Sequence, residues 1–148
     1  MARESAGTSR KKSAKDASAR SGRKAQLQAP TAKKFLAAYQ EAWQSRNAEL
    51  ASNLFTRDAH YWESPFGEPI VGREAIHAYW RAATEDQEGI RFTVRSFFRA
   101  GYTLLAEWTC TYQHRPSGER RELAGMLLAD FYGKQVRTFR EYWHRRVV

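Results

Sequence analysis

GKQVRTFREYWH, residues 133–144, is the last strand-like stretch of the chain, and its reading decides the fold. A turn-forming Gly-Lys leads into side chains that alternate. Phe139, Glu141 and Trp143 share one parity, and Thr138, Arg140, Tyr142 and His144 share the other. Period-two alternation marks a strand with two unlike faces. Glu141 and His144 stand three positions apart and so point to opposite faces; they do not form an acid–base dyad. Phe139 and Trp143 flank Glu141 and carry its carboxylate to the apolar face with them.

Three similar runs precede this one. Residues 90–99, 102–114, 120–131 and 135–146 are strand-length segments, separated by Ala-Gly, Arg-Pro-Ser-Gly and Tyr-Gly-Lys, all hairpin chemistry. In residues 102–114 one parity reads Leu104, Ala106, Trp108, Cys110 and Tyr112, the interior set, and the other is rich in Thr with Glu107. Upstream the period changes. Phe35, Tyr39 and Trp43 recur every four residues, one face of a helix whose candidate N-cap is Thr31. Asn47 closes that helix and caps a short second one. Residues 59–64 read as a strand stopped by Pro65-Phe66-Gly67, and Gly72 opens a third helix that turns Ile76, Tyr79 and Trp80 inward. Helices followed by an antiparallel meander predict an α+β domain with the helices on one face of the sheet.

The net charge of +9 is unevenly placed. Residues 1–34 hold ten Lys/Arg against two Asp/Glu, a charge of +8, while residues 35–148 hold fifteen against fourteen, a charge of +1. Residues 2–26 contain no Leu, Ile, Val, Phe, Met, Trp or Tyr. Such a segment cannot bury enough apolar surface to offset its ordering entropy, so residues 1–29 read as a disordered basic tail and residues 30–148 as the domain. Any contact with nucleic acid is expected through that tail only, by counterion release. Cys110 is the single cysteine, no run reaches membrane-spanning length, and no secretory apolar core is present, all of which predict a cytoplasmic protein without membrane contact. The four histidines are scattered, with no His-x-His or His-Glu-x-x-His spacing, so no metal and no cofactor is expected.

DAHYWESPFGEPIVGREAIHAYW at 58–80, together with the terminal strand at 133–144, resembles the SnoaL-like branch of the nuclear transport factor 2-like superfamily, over residues 31–146. The resemblance implies a cone, a curved antiparallel sheet wrapped around N-terminal helices with a pocket opening into it, and frequent dimers through the sheet. It does not imply one activity, since members include isomerases, cyclases, epoxide hydrolases and non-catalytic binders. Ketosteroid isomerases of this fold place an Asp base where Ser64 stands, a helix-one Tyr that matches Tyr39, and a protonated Asp near Leu127. Limonene-type epoxide hydrolases use Tyr-x-Asn-x-Pro and a last-strand Asp, which here read Tyr61-x-Glu63-x-Pro65 and Glu141. Their Arg-x-Asp is replaced by Trp108 and Cys110, which removes the general acid.

Neither residue set is complete. The expectation is therefore a cone that binds a small apolar or aromatic molecule through Tyr39, Tyr61, Trp80, Trp108, Tyr112, Phe139 and Trp143, with Glu141 and Glu63 as candidate acid–base groups. The alternative is a non-catalytic homodimeric module whose cone is filled by its own side chains and serves protein association.

Overall fold

The structure, a computed structural model, describes residues 25–148. Three helices, α1 (Ala29–Ser45), α2 (Ala48–Ser52) and α3 (Arg73–Thr84), pack on a six-stranded sheet. The strands are β1 (Phe55–Trp62), β2 (Ile70–Val71), β3 (Gln87–Ala100), β4 (Thr103–His114), β5 (Glu119–Tyr132) and β6 (Gln135–Val147). They lie in the order β2-β1-β6-β5-β4-β3, so the predicted meander forms one side of the sheet and β1 joins its far edge. β1 runs parallel to β6, whereas all other pairings are antiparallel. Register shifts interrupt β3–β4 twice and β5–β6 once, and such bulges bend a sheet. The result is a curved, unclosed sheet cupped around α1.

Leu104, Ala106, Trp108, Cys110 and Tyr112 are all buried, as their parity predicts, and they face a core that includes Phe35, Leu36 and Tyr39 of α1. α1 ends where Arg46 takes a left-handed conformation, and Asn47 then caps α2 by accepting from the Leu50 amide at 2.9 Å. At its start the helix departs from expectation. It begins at Ala29 with Pro30 in its first turn, and Thr31 is a helical residue rather than the cap.

Residues before position 30 also make contacts with the sheet. Leu27 is buried, its amide donates to the Gly101 carbonyl at 2.8 Å, and its own carbonyl accepts from Arg99 at 2.8 Å. A single Leu among polar neighbours has no periodicity to announce it, which is why composition assigned it to the tail. Residues 1–24 of that assignment lie outside the described residues. No helix among the described residues is long and apolar enough to cross a membrane.

Gly125 of β5 pairs with Trp143 of β6. A Cβ there would stand 2.5 Å from the Tyr142 carbonyl oxygen and 2.6 Å from the Trp143 Cβ. Backbone cannot move aside as a flexible side-chain end can. Gly125→Ala is therefore expected to destabilise the domain by about 1–3 kcal/mol, read as a lower urea midpoint, by overpacking this strand pair.

Candidate active site

Glu141 is the centre of the interior cluster. β6 alternates around it, so it shares a face with the fully buried Phe139, and it is itself only 4% exposed. Its Oε1 accepts a hydrogen bond from the Tyr39 hydroxyl, joining the last strand to the middle of α1 across 102 residues of sequence. Burial pushes the Glu141 carboxyl up to about 7, partly offset by the hydroxyls of Tyr39 and Tyr61 and reinforced by the negative charge of Glu63. No arginine or lysine reaches it among the described residues. A carboxyl poised near neutrality is suited to both accept and donate a proton.

An aromatic box surrounds this pair. Tyr39 meets Trp80 and Phe92 edge-on, each at 5.4 Å between ring centroids, and lies 5.7 Å from Phe139. Tyr61 packs on Phe139 at 4.6 Å, and Trp108 stacks on Phe92 at 5.2 Å. Two polar tips in the box have no partner. The indole N–H groups of Trp80 and Trp108 are buried without a hydrogen bond, whereas the Tyr61 hydroxyl, toward Glu141 and Tyr39, and the Trp43 indole, toward Tyr39, fall just outside hydrogen-bonding geometry. Each such orphan costs about 1–3 kcal/mol when desolvated, so the two indoles mark a place where acceptors are missing. Burial and the Glu141 charge raise the hydroxyl pKa values of Tyr39 and Tyr61 well above the ordinary tyrosine value, so both remain protonated donors. The same two influences push the Cys110 thiol up to about 12, which makes it an inert hydrophobe.

Three expected site residues lie elsewhere. Glu63 is exposed: β1 ends at Trp62, and the turn at Ser64–Pro65 turns Glu63 out of the interior. It accepts from the Tyr79 hydroxyl at 3.0 Å, and Tyr79 in turn packs on Tyr61 at 5.3 Å, so Glu63 acts on the cluster from its rim through its charge. Trp143 is 36% exposed, because the helices stop short of this end of β6, and its indole donates to the Glu63 carbonyl at 3.2 Å. Tyr112 is buried on the interior face but pairs in register with Arg121, whereas Glu141 lies level with Leu127 and Ala106. Six residues along a strand is roughly 20 Å, beyond contact with Glu141. Tyr39, Tyr61, Trp80, Trp108 and Phe139 do gather with Glu141. Sequence reasoning missed Trp43 and Tyr79 as site residues, although the 35-39-43 spacing and the Tyr79-Trp80 pair had marked both as inward.

Glu141 also borders a cleft of about 260 Å³, with Trp62, Pro65, Arg140 and Tyr142. This cleft lies at the β1–β6 seam, beside the turn that ends β1, on the face that carries Arg140 and Tyr142 and not on the interior face. Across the other strand pair, Glu141 stands directly opposite the buried Leu127.

The fold and this constellation define an NTF2-like cone domain, and the sequence profile of the SnoaL-like domain matches residues 36–139. The chain belongs to that family. No curated protein matches its sequence significantly. Among solved structures, the chain is similar to a Catenulispora acidiphila protein of ketosteroid isomerase-like fold in complex with trimethylamine. Identity is 20% over 73% of this chain and 83% of that one, with a TM-score of 0.67. It is similar to an LEH-like epoxide hydrolase of M. tuberculosis at 16% identity over 78% and 84% of the chains, TM-score 0.65. It is also similar to a nuclear transport factor 2-like protein of Anabaena variabilis at 16% identity over 78% and 87%, TM-score 0.69. Likeness at these identities speaks for the fold alone.

Proposed function

We propose that this SnoaL-like domain binds a small, largely apolar or aromatic molecule against the Glu141 cluster, and that Glu141 exchanges a proton with it. One observation carries the reading: a buried carboxyl held near neutrality stands beside buried donors that lack acceptors. A ligand with a carbonyl, ether or phenolic oxygen would supply those acceptors to Trp80 and Trp108, while its rings replaced aromatic contacts in the box. The position near Leu127 is apolar, and Glu141 offers a protonatable carboxyl from the adjacent strand instead. Glu63 and Tyr79 form the rim, where the charge of Glu63 helps keep Glu141 protonated.

The test is a thermal-shift screen of small aromatic ketones and phenols at pH 7 with wild type and Glu141→Gln. A compound that raises the wild-type melting temperature and leaves the variant unmoved supports the reading. A screen in which no compound stabilises the wild type counts against it.

The filled interior supports a second reading. Tyr39, Tyr61, Trp80 and Phe139 are fully buried against one another, as in a cone that serves as its own core. On this reading the working surface is the outer face of the sheet. Phe98, Leu105 and Leu128 lie in one cross-strand row there and Met126 and Tyr142 in the next, with Phe98 65% exposed. Glu107 and Ser96 share the Met126 row and Arg140 ends the Leu128 row, and a mixed surface of this kind suits a twofold contact with a second copy of the chain. Thr109, one further row along, is partly exposed at the patch border. Thr109→Arg is expected to convert a dimer to a monomer by light scattering while leaving the melting temperature within a degree or two, since surface changes cost about 0.5 kcal/mol or less. A wild-type mass of one chain at micromolar concentration would remove the dimer from either reading.

A further inference from the structure

A second cleft, of about 620 Å³, opens where the C-terminal ends of α1 and α3 meet the β4–β5 hairpin. Arg46, Arg81 and Arg115 line it together with Ser45 and Glu85, and two alanines of α3 give it an apolar wall. Among the described residues, none of the three arginines is in an ion pair, whereas Arg121, Arg137, Arg140 and Arg146 all are.

Two of the three are nonetheless held in place. Arg46 donates to the Gln87 carbonyl at 3.3 Å, and Arg115 donates to the Glu85 carbonyl at 2.6 Å while its amide bonds the Asp86 carbonyl at 2.9 Å. The α3–β3 connection and the first residue of β3 thus anchor guanidinium groups from two other parts of the chain. A bond to a carbonyl orients a guanidinium without neutralising it, and each retains further N–H donors for a ligand.

The charge balance decides what such a site would take. Each helix C-terminus contributes about half a negative charge, and Glu85 contributes one more. Three guanidiniums exceed these, leaving about one positive charge in a concave space. The volume falls within the ~300–1,000 Å³ usual for small-molecule sites, larger than an inorganic ion requires. We propose that this cleft is a binding site for a small organic molecule bearing a single oxyanion group, phosphate or carboxylate, seated on Arg46, Arg81 and Arg115. The site is separate from the Glu141 cluster. Arg46 follows Tyr39 by seven residues, about 10 Å along the axis of α1, and the Trp43–Trp80 ring pair at 4.2 Å stands between them. The inference therefore does not rest on the reading of Glu141.

Inorganic phosphate and acetate, titrated into the full-length protein at constant ionic strength, serve as the probes, with the arginine Nε–H resonances followed by NMR. The expected result is saturable movement of the Arg46, Arg81 and Arg115 signals with at least one probe. Arg81 makes no hydrogen bond among the described residues, so Arg81→Gln should fold normally and weaken that binding about tenfold or more. Arg95→Gln, an equal loss of charge on β3, should leave the affinity unchanged. Saturation by phosphate alone assigns a phosphate ester, by acetate alone a carboxylate, and by both a site open to either. Shifts that stay linear into the millimolar range with both probes, or equal weakening by Arg81→Gln and Arg95→Gln, would overturn the proposal.

Discussion

At pH 8 the Glu141→Gln protein is expected to be more stable than the wild type by about 1–3 kcal/mol, and at pH 4.5 the difference should disappear or reverse. The reason is the direction of the Glu141 shift. Its carboxyl is raised in the folded protein to about 7 from an ordinary value of 4.5, chiefly by burial. Between these values the folded chain holds a proton that the unfolded chain has released. Stability from this group is therefore complete below about pH 4.5 and is lost as pH rises through 7, by about 3 kcal/mol for a shift of this size. Glutamine keeps the shape of the protonated acid, and its amide oxygen can still accept from Tyr39, so the variant lacks the pH-dependent loss. Its extra N–H donors cost part of the gain, because the box has no spare acceptor for them. Urea midpoints at several pH values from 4.5 to 8 measure the effect. A wild-type curve without the fall, or a Gln variant less stable at pH 8, would show that Glu141 is ionised and paired in solution, and the acid–base role would lapse with it. His144→Ala, on an exposed residue of the opposite parity, should alter neither curve.

The alternation in β4 and β6 was enough to orient the sheet, because burial on one face writes itself into every second residue. That is how the interior position of Glu141 was legible beside Phe139, and the structure keeps it there. Parity tells which way a side chain points, but not how far the covering layer extends. Trp143 has the parity of Glu141 and Phe139, yet it lies beyond the reach of the helices and is partly exposed. Glu63 differs: the resemblance, through Tyr61-x-Glu63-x-Pro65, suggested it, and β1 ends at Trp62, so Glu63 stands in a turn where strand parity has no meaning. The parallel pairing of β1 with β6 and the Tyr39–Glu141 bond join residues about 80 and 102 positions apart, and no local pattern records them. Unpaired indole N–H groups are likewise invisible in a sequence, since a tryptophan reads the same with or without an acceptor.

Those indole groups supply the other large effect. Trp80→Ala is expected to cost about 3–5 kcal/mol, because its ring is fully buried between Trp43 and Tyr39 and neighbours fixed on α1 cannot collapse into the space. Trp80→Phe should cost much less, under about 1.5 kcal/mol. It keeps an aromatic surface against Tyr39 and also removes a buried N–H that has no partner, which offsets part of the lost packing. The ratio of the two losses, from urea melts at pH 6, reports on the state of that N–H in solution. If Trp80→Phe costs nearly as much as Trp80→Ala, the indole donor is satisfied by water or a retained small molecule, and the interior is wetter than a self-filled core. Addition of indole or benzene separates the alternatives further. In Trp80→Ala either compound should enter the vacated aromatic space and raise stability with concentration, as any ligand of the folded state does. A box that accepts such a guest beside Glu141 has the shape and polarity that small-molecule binding requires, whereas one that collapses or refuses it behaves as the core of an association module.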